Sequence, residues 1–443
     1  MRARGRLLTF IVPLGIITGA CWGAWADDSG QGDDHGQMRR DEQLVLKKTI
    51  GVGGIGIGAF DISFVDPKIE LYVLADRTNA SIDLFDSEDA TFSGRIGSKC
   101  LADNPAPHFC FQGVVLNAAG AANNNLSGPD GVVIVDHKEV WAGDGDSRIK
   151  VIDIATKSFI TTISTGGKDR VDEMAYDSRD HLLAAANNAD TPPFVTVFDT
   201  NAKTIVGKLV FDTVSPGNVG VDAENGIEQP QWSPATGLFY VSVPQVGSDP
   251  AVGGVSVIDP KTMKVTRTLL VSNCSPAGLA LGPRNQALLG CSAAFGTPAT
   301  TQSVVIDITS TDTTVDGAVV AKVGIGGSDE VWFDTGTRHY FLAARNNLAA
   351  GKPDPILGSI DAKTNKLDPS APTSLTAHSV AADANAHNVF VPIGCASNAP
   401  DSCTGGVPAT TDPTNTDPNC RAVGCIAVFR ARSERSDEKV SER

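Results

Sequence analysis

Two stretches of the chain carry adjacent carboxylates in the same setting, 171-VDEMAYDSRDHLLAAANN-188 and 328-SDEVWFDTGTRHYFLAARNN-347. Each runs Asp-Glu, an apolar residue, a variable position, an aromatic and Asp, and each ends in Leu-Ala-Ala-x-Asn-Asn. Neighbouring carboxylates repel when ionised. Either some keep a proton at raised pKa or a cation sits among them. Asp172, Glu173, Asp329 and Glu330, joined by Glu228 of 227-IEQPQWS-233 and His378 of 377-AHSVAAD-383, form a candidate cation-binding set. Oxygen donors with at most one imidazole suit Ca²⁺, Mg²⁺ or Mn²⁺ ahead of Zn²⁺. Gln229, Asn187, Asn188, Asn346, Asn347 and Arg345 are the polar residues expected to contact a small ligand beside that set.

The elements that must bring these residues together are short strands. A β-branched or apolar run ending in Asp before a Thr/Lys turn recurs as IDLFD, IKVIDIATK, VTVFDTNAK, VSVIDPKTMK, VVIDITS and LGSIDAKTNK, with CIAVFRA (425–431) as a seventh copy lacking the Asp. Two further strand-like runs precede each marker. Seven units of three or four short strands predict an all-β fold, a seven-bladed β-propeller, over residues 43–431. The last unit is one strand short, and the run LVLKKTIGV (44–52) is expected to close it. The inner strands begin at FDISFVD (60–66), PDGVVIVD (129–136), VDEMAYD, IEQPQWS, PAGLALG (276–282), SDEVWFD and AHSVAAD. Their first residues therefore meet at one mouth of the axial channel, and units three and six face each other about 150° apart.

The long connections (97–127, 211–226, 244–254, 292–301, 346–355 and 394–424) fall between strands 2 and 3 or between blades, so all decorate the same face. Loops on a rigid scaffold are where function concentrates. Cys100 with Cys110, and Cys274 with Cys291, are placed to pair on that face. Cys395 and Cys425 bracket the last loop, with Cys403 and Cys420 nested inside.

The chain opens MRARGR, then an apolar run ending Ala24-Trp25-Ala26, which predicts a cleaved signal peptide over 1–26 and a periplasmic or secreted protein. Residues 27–42 read as a flexible leader and 432–443 as a disordered charged tail. The formal net charge of −15 becomes −18 once the three Arg of the first 26 residues leave. Such a chain is a poor partner for nucleic acid or anionic membrane.

Other features read as structural. Asp66, Asp136, Asp177, Asp334 and Asp383 are expected turn formers. Trp141, Trp232 and Trp332 are expected core residues. His35, His108, His137, His181, His339 and His387 are expected at the surface. The run 51-GVGGIGIG-58 opens no helix and is no dinucleotide fingerprint.

The rows DEMAYD…LAAANNADTPPF, EQPQWSPATGLFYVSVP, CSPAGLALGP, GGSDEVWFDT and AHSVAADANAHNVFVP resemble the exported bacterial YVTN-type (YncE-like) seven-bladed β-propellers. The resemblance implies the fold and leaves the activity open. The YVTN tetrapeptide itself is replaced by YVLADRTN and YVSVP. The expected function is binding of a small polar ligand or divalent cation at the channel mouth. One alternative is a lactonase-like metal-dependent hydrolase or lyase with His378 as general base. The other is a protein-interaction scaffold using the long loops.

Overall fold

The protein's structure is a computed structural model that describes residues 42–101, 106, 108–395 and 423–433. The signal peptide, the leader up to residue 41, residues 396–422 with Cys403 and Cys420, and the tail beyond Ser433 lie outside the described residues.

Among the described residues every element is a β-strand, and they form seven four-stranded antiparallel sheets and one two-stranded hairpin, Leu348–Ala349 with Lys352–Pro353. The first blade shows the plan. Its inner strand Ser63–Asp66 is short, strands Leu71–Asp76 and Ser81–Asp86 are buried almost throughout, and the outer strand Thr91–Ile96 mixes exposed with half-buried positions. Middle strands packed on both faces by neighbouring blades read as unbroken apolar runs, whereas the outer strand keeps one wet face. The core consists of the spaces between blades. Ala184 and Val195 of the third blade, for example, pack with Val241 and Ile258 of the fourth.

The recurring Asp has a mechanical task. Asp86, Asp153, Asp199, Asp259, Asp307 and Asp361 each accept a backbone N–H two or three residues on, which fixes the turn after strand 3. A register shift follows in the next strand pair of all six blades, as between Leu84 and Phe85 or Val151 and Ile152, and adds twist.

In the seventh blade strand Glu42–Ile50 pairs with Cys425–Ser433 and joins the two ends of the chain. That pairing closes the ring and covers the edge that Cys425–Ser433 would otherwise expose. Most long connections lie on the expected face; the 308–318 turn of the fifth blade is a long connection on the other one. Disulfides Cys100–Cys110 and Cys274–Cys291 are present, with Cα separations of 5.0 and 4.5 Å. Cys395 and Cys425 are disulfide-bonded as well. Such bonds are compatible with an extracellular or periplasmic protein.

Candidate functional site

The strand pairings place Asp61, Asp130, Asp172, Glu228, Asp329 and His378 at one register ahead of the inner strands, and in the fifth blade a register shift leaves Pro276 and Ala277 there. Six of the seven blades thus present an ionisable side chain at one channel mouth. The register just past the end of strand 2 carries Arg77, Asn188 and Arg345 in blades 1, 3 and 6. Arg77 bridges its own Asp61 and the next blade's Asp130, with Nε donating to Asp130 Oδ1 at 2.8 Å. Asn188 Nδ2 reaches both Glu228 oxygens at 3.4 Å, and Arg345 lies 3.3 Å from Asp329. Arg170, from the segment entering the third blade, donates to Asp172 at 2.8 Å.

One guanidinium between two buried carboxylates cannot neutralise both. Burial would raise Asp61, but Arg77 and His378 outweigh it and hold Asp61 well below the usual carboxylate range. Asp130 goes the other way. Its side chain is fully buried, one oxygen has no partner, and the charge on Asp61 adds to burial in pushing it well up. Burial likewise raises Asp172 to about 6 against the pull of Arg170, with Asp61 contributing. Glu228 is pushed well up by burial and by the charges of Asp172 and Asp329. Arg77 thus serves blades 1 and 2, whereas toward blades 3, 4 and 6 the carboxyl groups of Asp172, Glu228 and Asp329 outnumber the guanidinium groups of Arg170 and Arg345.

His378 stacks on Phe60, with ring centroids 4.4 Å apart. Its Nδ1 lies 2.8 Å from the Thr376 carbonyl, which can only accept, so Nδ1 carries the proton. Nε2 faces Asp61 at 3.5 Å.

One register deeper sit Glu173, Gln229, Glu330 and Ser379. Glu330 does not face the mouth. Its carboxylate accepts from Ser379 Oγ and, at 3.2 Å, from Val380 N, and Ser63 Oγ lies 2.7 Å from Ser379 Oγ. The Gln229 amide is spent on Leu279 N and the backbone of Val331. Glu173 is buried, and its Oε2 has no partner.

From the ring a groove of about 680 Å³ runs outward between blades 3 and 4, bounded by Arg170, Asn188, Glu228 and the loops 189–193 and 211–226. Its lining holds Asp190, Asp212, Asp222, Glu224 and Glu228 against one cation, Arg170. Asp190 and Asp212 accept loop N–H groups, so Asp222, Glu224 and Glu228 are the groove's acids that hold no loop backbone.

The fold therefore brings Asp172, Glu173, Glu228, Asp329, Glu330 and His378 to the same end of the channel, at two depths. The Asn pairs are not equivalent in space. Asp177 pairs with Leu182 and Asp334 with His339, which aligns Asn188 with Arg345 and leaves Asn346 and Asn347 beyond the end of the strand. Asn187 ties Ser147 and Asp190, and Asn347 ties Thr301 and Asp354, so both anchor loops. Asn346 is exposed. Sequence reading missed Arg77, which follows the end of the second strand of its blade, and Arg170, which stands two residues before Asp172.

Two surface and core assignments are corrected. His339 is buried, 1% exposed, because it opens a strand covered by its neighbours. Its Nε2 lies 3.0 Å from Asp368. With Asp361 these make the one group among the described residues whose three potential ligand atoms lie within 4.8 Å of one another, on the face opposite the ring. The core assignment of Trp332 holds only in part: it packs against two of the inter-blade cores and also lines the channel beneath the ring.

No protein-family model matches the chain, and no curated protein matches it. Solved structures do. A chain of a mitotic checkpoint complex is 12% identical at a TM-score of 0.54, covering 86% of this chain and 97% of its own. A chain of Kuenenia stuttgartiensis hydrazine synthase is 13% identical at a TM-score of 0.54, covering 77% and 95%. Both likenesses concern the propeller fold alone.

Proposed function

We propose that the chain is an exported YVTN-type binding protein that takes a small polar, cation-bearing ligand at the mouth of its axial channel. The carrying observation is the groove that ends on Glu228, Asn188 and Arg170. Its walls are acidic, Glu228 and Asp172 are under-compensated, and Asn188 Oδ1 is buried without a partner. An ammonium group would sit between Glu228 and Asp172, with a polar acceptor group of the ligand on Arg170. A Ca²⁺, Mg²⁺ or Mn²⁺ ion is the smaller occupant of the same charge. The ring carboxylates bring no three ligand atoms within 4.8 Å of one another, which favours a molecule that spans the groove over a bare ion. The hydrolase or lyase reading requires an idle His378 Nε2, and here Nε2 faces Asp61. A protein partner is the second reading, favoured by Phe109, Leu116 and Val214, exposed on loops of the decorated face.

The test is calorimetry of the purified protein with putrescine, lysine and, separately, CaCl₂ and MnCl₂, plus elemental analysis. A cation binds the ionised carboxylates, so affinity should rise as pH is raised from 5 to 8 through the Asp172 value of about 6. Glu228→Gln should weaken binding about tenfold or more. Binding that ignores both pH and Glu228→Gln, or no binding by any of these probes, overturns the proposal.

A further inference from the structure

We infer that the channel beneath the ring holds a second site, for an organic cation with an apolar body. The cavity measures about 250 Å³. Glu173, Gln229 and Glu330 form its upper end, and Phe64, Met174, Leu281, Trp332 and Phe333 continue its wall. Phe64 and Trp332 meet edge to face, with centroids 5.4 Å apart. Of the three polar side chains at the upper end, two are spoken for, Glu330 by Ser379 and Val380, and Gln229 by the backbone of blades 5 and 6. Glu173 is different. It is 3% exposed, it lines the cavity, and its Oε2 has no partner. A buried carboxylate oxygen without a donor is costly and calls for one. An aromatic wall supplies the other half of ammonium recognition, attraction of a cation to ring faces.

The two features lie along one axis, so a molecule with a charged head and a flat or branched apolar body fits them together. The cavity is near the lower limit of small-molecule sites, about 300 Å³, which restricts the body to a single ring or a short chain. Burial, with Glu228, Asp172, Asp329 and Glu330 nearby, pushes the empty Glu173 carboxyl well up. This site opens on the channel rather than on the groove, so the two are probed separately.

The experiment uses the mature chain with benzylammonium as probe and benzyl alcohol as its uncharged counterpart. Titrations at pH 7 should show binding of benzylammonium, and benzyl alcohol should bind about thirtyfold more weakly or worse. Glu173→Gln should remove that preference. Trp332→Leu, a second variant should Glu173→Gln fail to fold, should weaken binding about three- to thirtyfold. Benzylammonium should change the intrinsic fluorescence of the wild type and not of Trp332→Phe. A wild type that ignores benzylammonium, or binds the alcohol equally, overturns the inference, as does a fluorescence change that persists in Trp332→Phe. So does a finding that Glu173 is satisfied by ordered water alone and benzylammonium does not displace it. Groove binding of putrescine with none of these effects would remove this site and leave the mouth reading standing, and the converse result would do the reverse.

Discussion

Replacing Arg77 by Met tests whether the ring is held by shared charge. Arg77 is 6% exposed, Asp130 not at all and Asp61 11%. Met fills much of the same volume but leaves two carboxylates facing each other. Removing one partner of a buried ion pair typically costs about 3–5 kcal/mol. The cost depends on pH, and its sign follows from Asp61. In the wild type Asp61 is depressed below its unfolded value, so its contribution to stability is present above about pH 3.9 and is lost as pH falls through the lower folded value. In Arg77→Met burial dominates and Asp61 moves up. The folded state then resists an ionisation that the unfolded chain makes freely, and the penalty grows as pH rises from about 4 to the new folded value. Unfolding entropy for a propeller of about 390 residues is roughly 0.8 kcal/mol per degree, so the expected loss in Tm is about 4–6 °C at pH 8. It should be much smaller at pH 5, where protonation relieves the pair. Thermal melts of both proteins at the two pH values decide the matter. Equal losses at pH 5 and 8, or a loss under about 1 °C at pH 8, would refute the reasoning.

Two further outcomes concern the frame. The Cys274–Cys291 bond closes a 17-residue separation at the blade that lacks an ionisable ring residue, so the double Ser variant should lose about 3 kcal/mol, or about 4 °C in Tm, in non-reducing melts. Deleting residues 42–50 leaves Cys425–Ser433 without its partner, so size-exclusion chromatography should show association through that exposed edge, and a monodisperse monomer with an unchanged melt would contradict closure by that strand.

Much of the frame was legible because its signals are local. The Asp that ends each third strand, the alternation of short apolar runs and the missing last strand are each fixed within a few residues, and each has the predicted mechanical counterpart. The ring was legible for the same reason. A constant offset of five residues from the Asp ending an inner strand leads back to Asp61, Asp172, Asp329 and His378. The Asn pairs misled because two similar words stand two residues out of step, and register, not resemblance, decides which side chains face each other.

The sequence by itself determined the seven units, their closure, the disulfides Cys100–Cys110 and Cys274–Cys291, and which acids lead the inner strands, because strand register is counted along the chain. Only the tertiary structure decided how those acids are compensated. Arg77 reaches Asp130 from another blade, Glu330 turns away to Ser379, and Glu173 is left with an idle oxygen above an aromatic wall. Charge compensation is set by distances across the ring between residues far apart in the chain, and no repeat period encodes those distances.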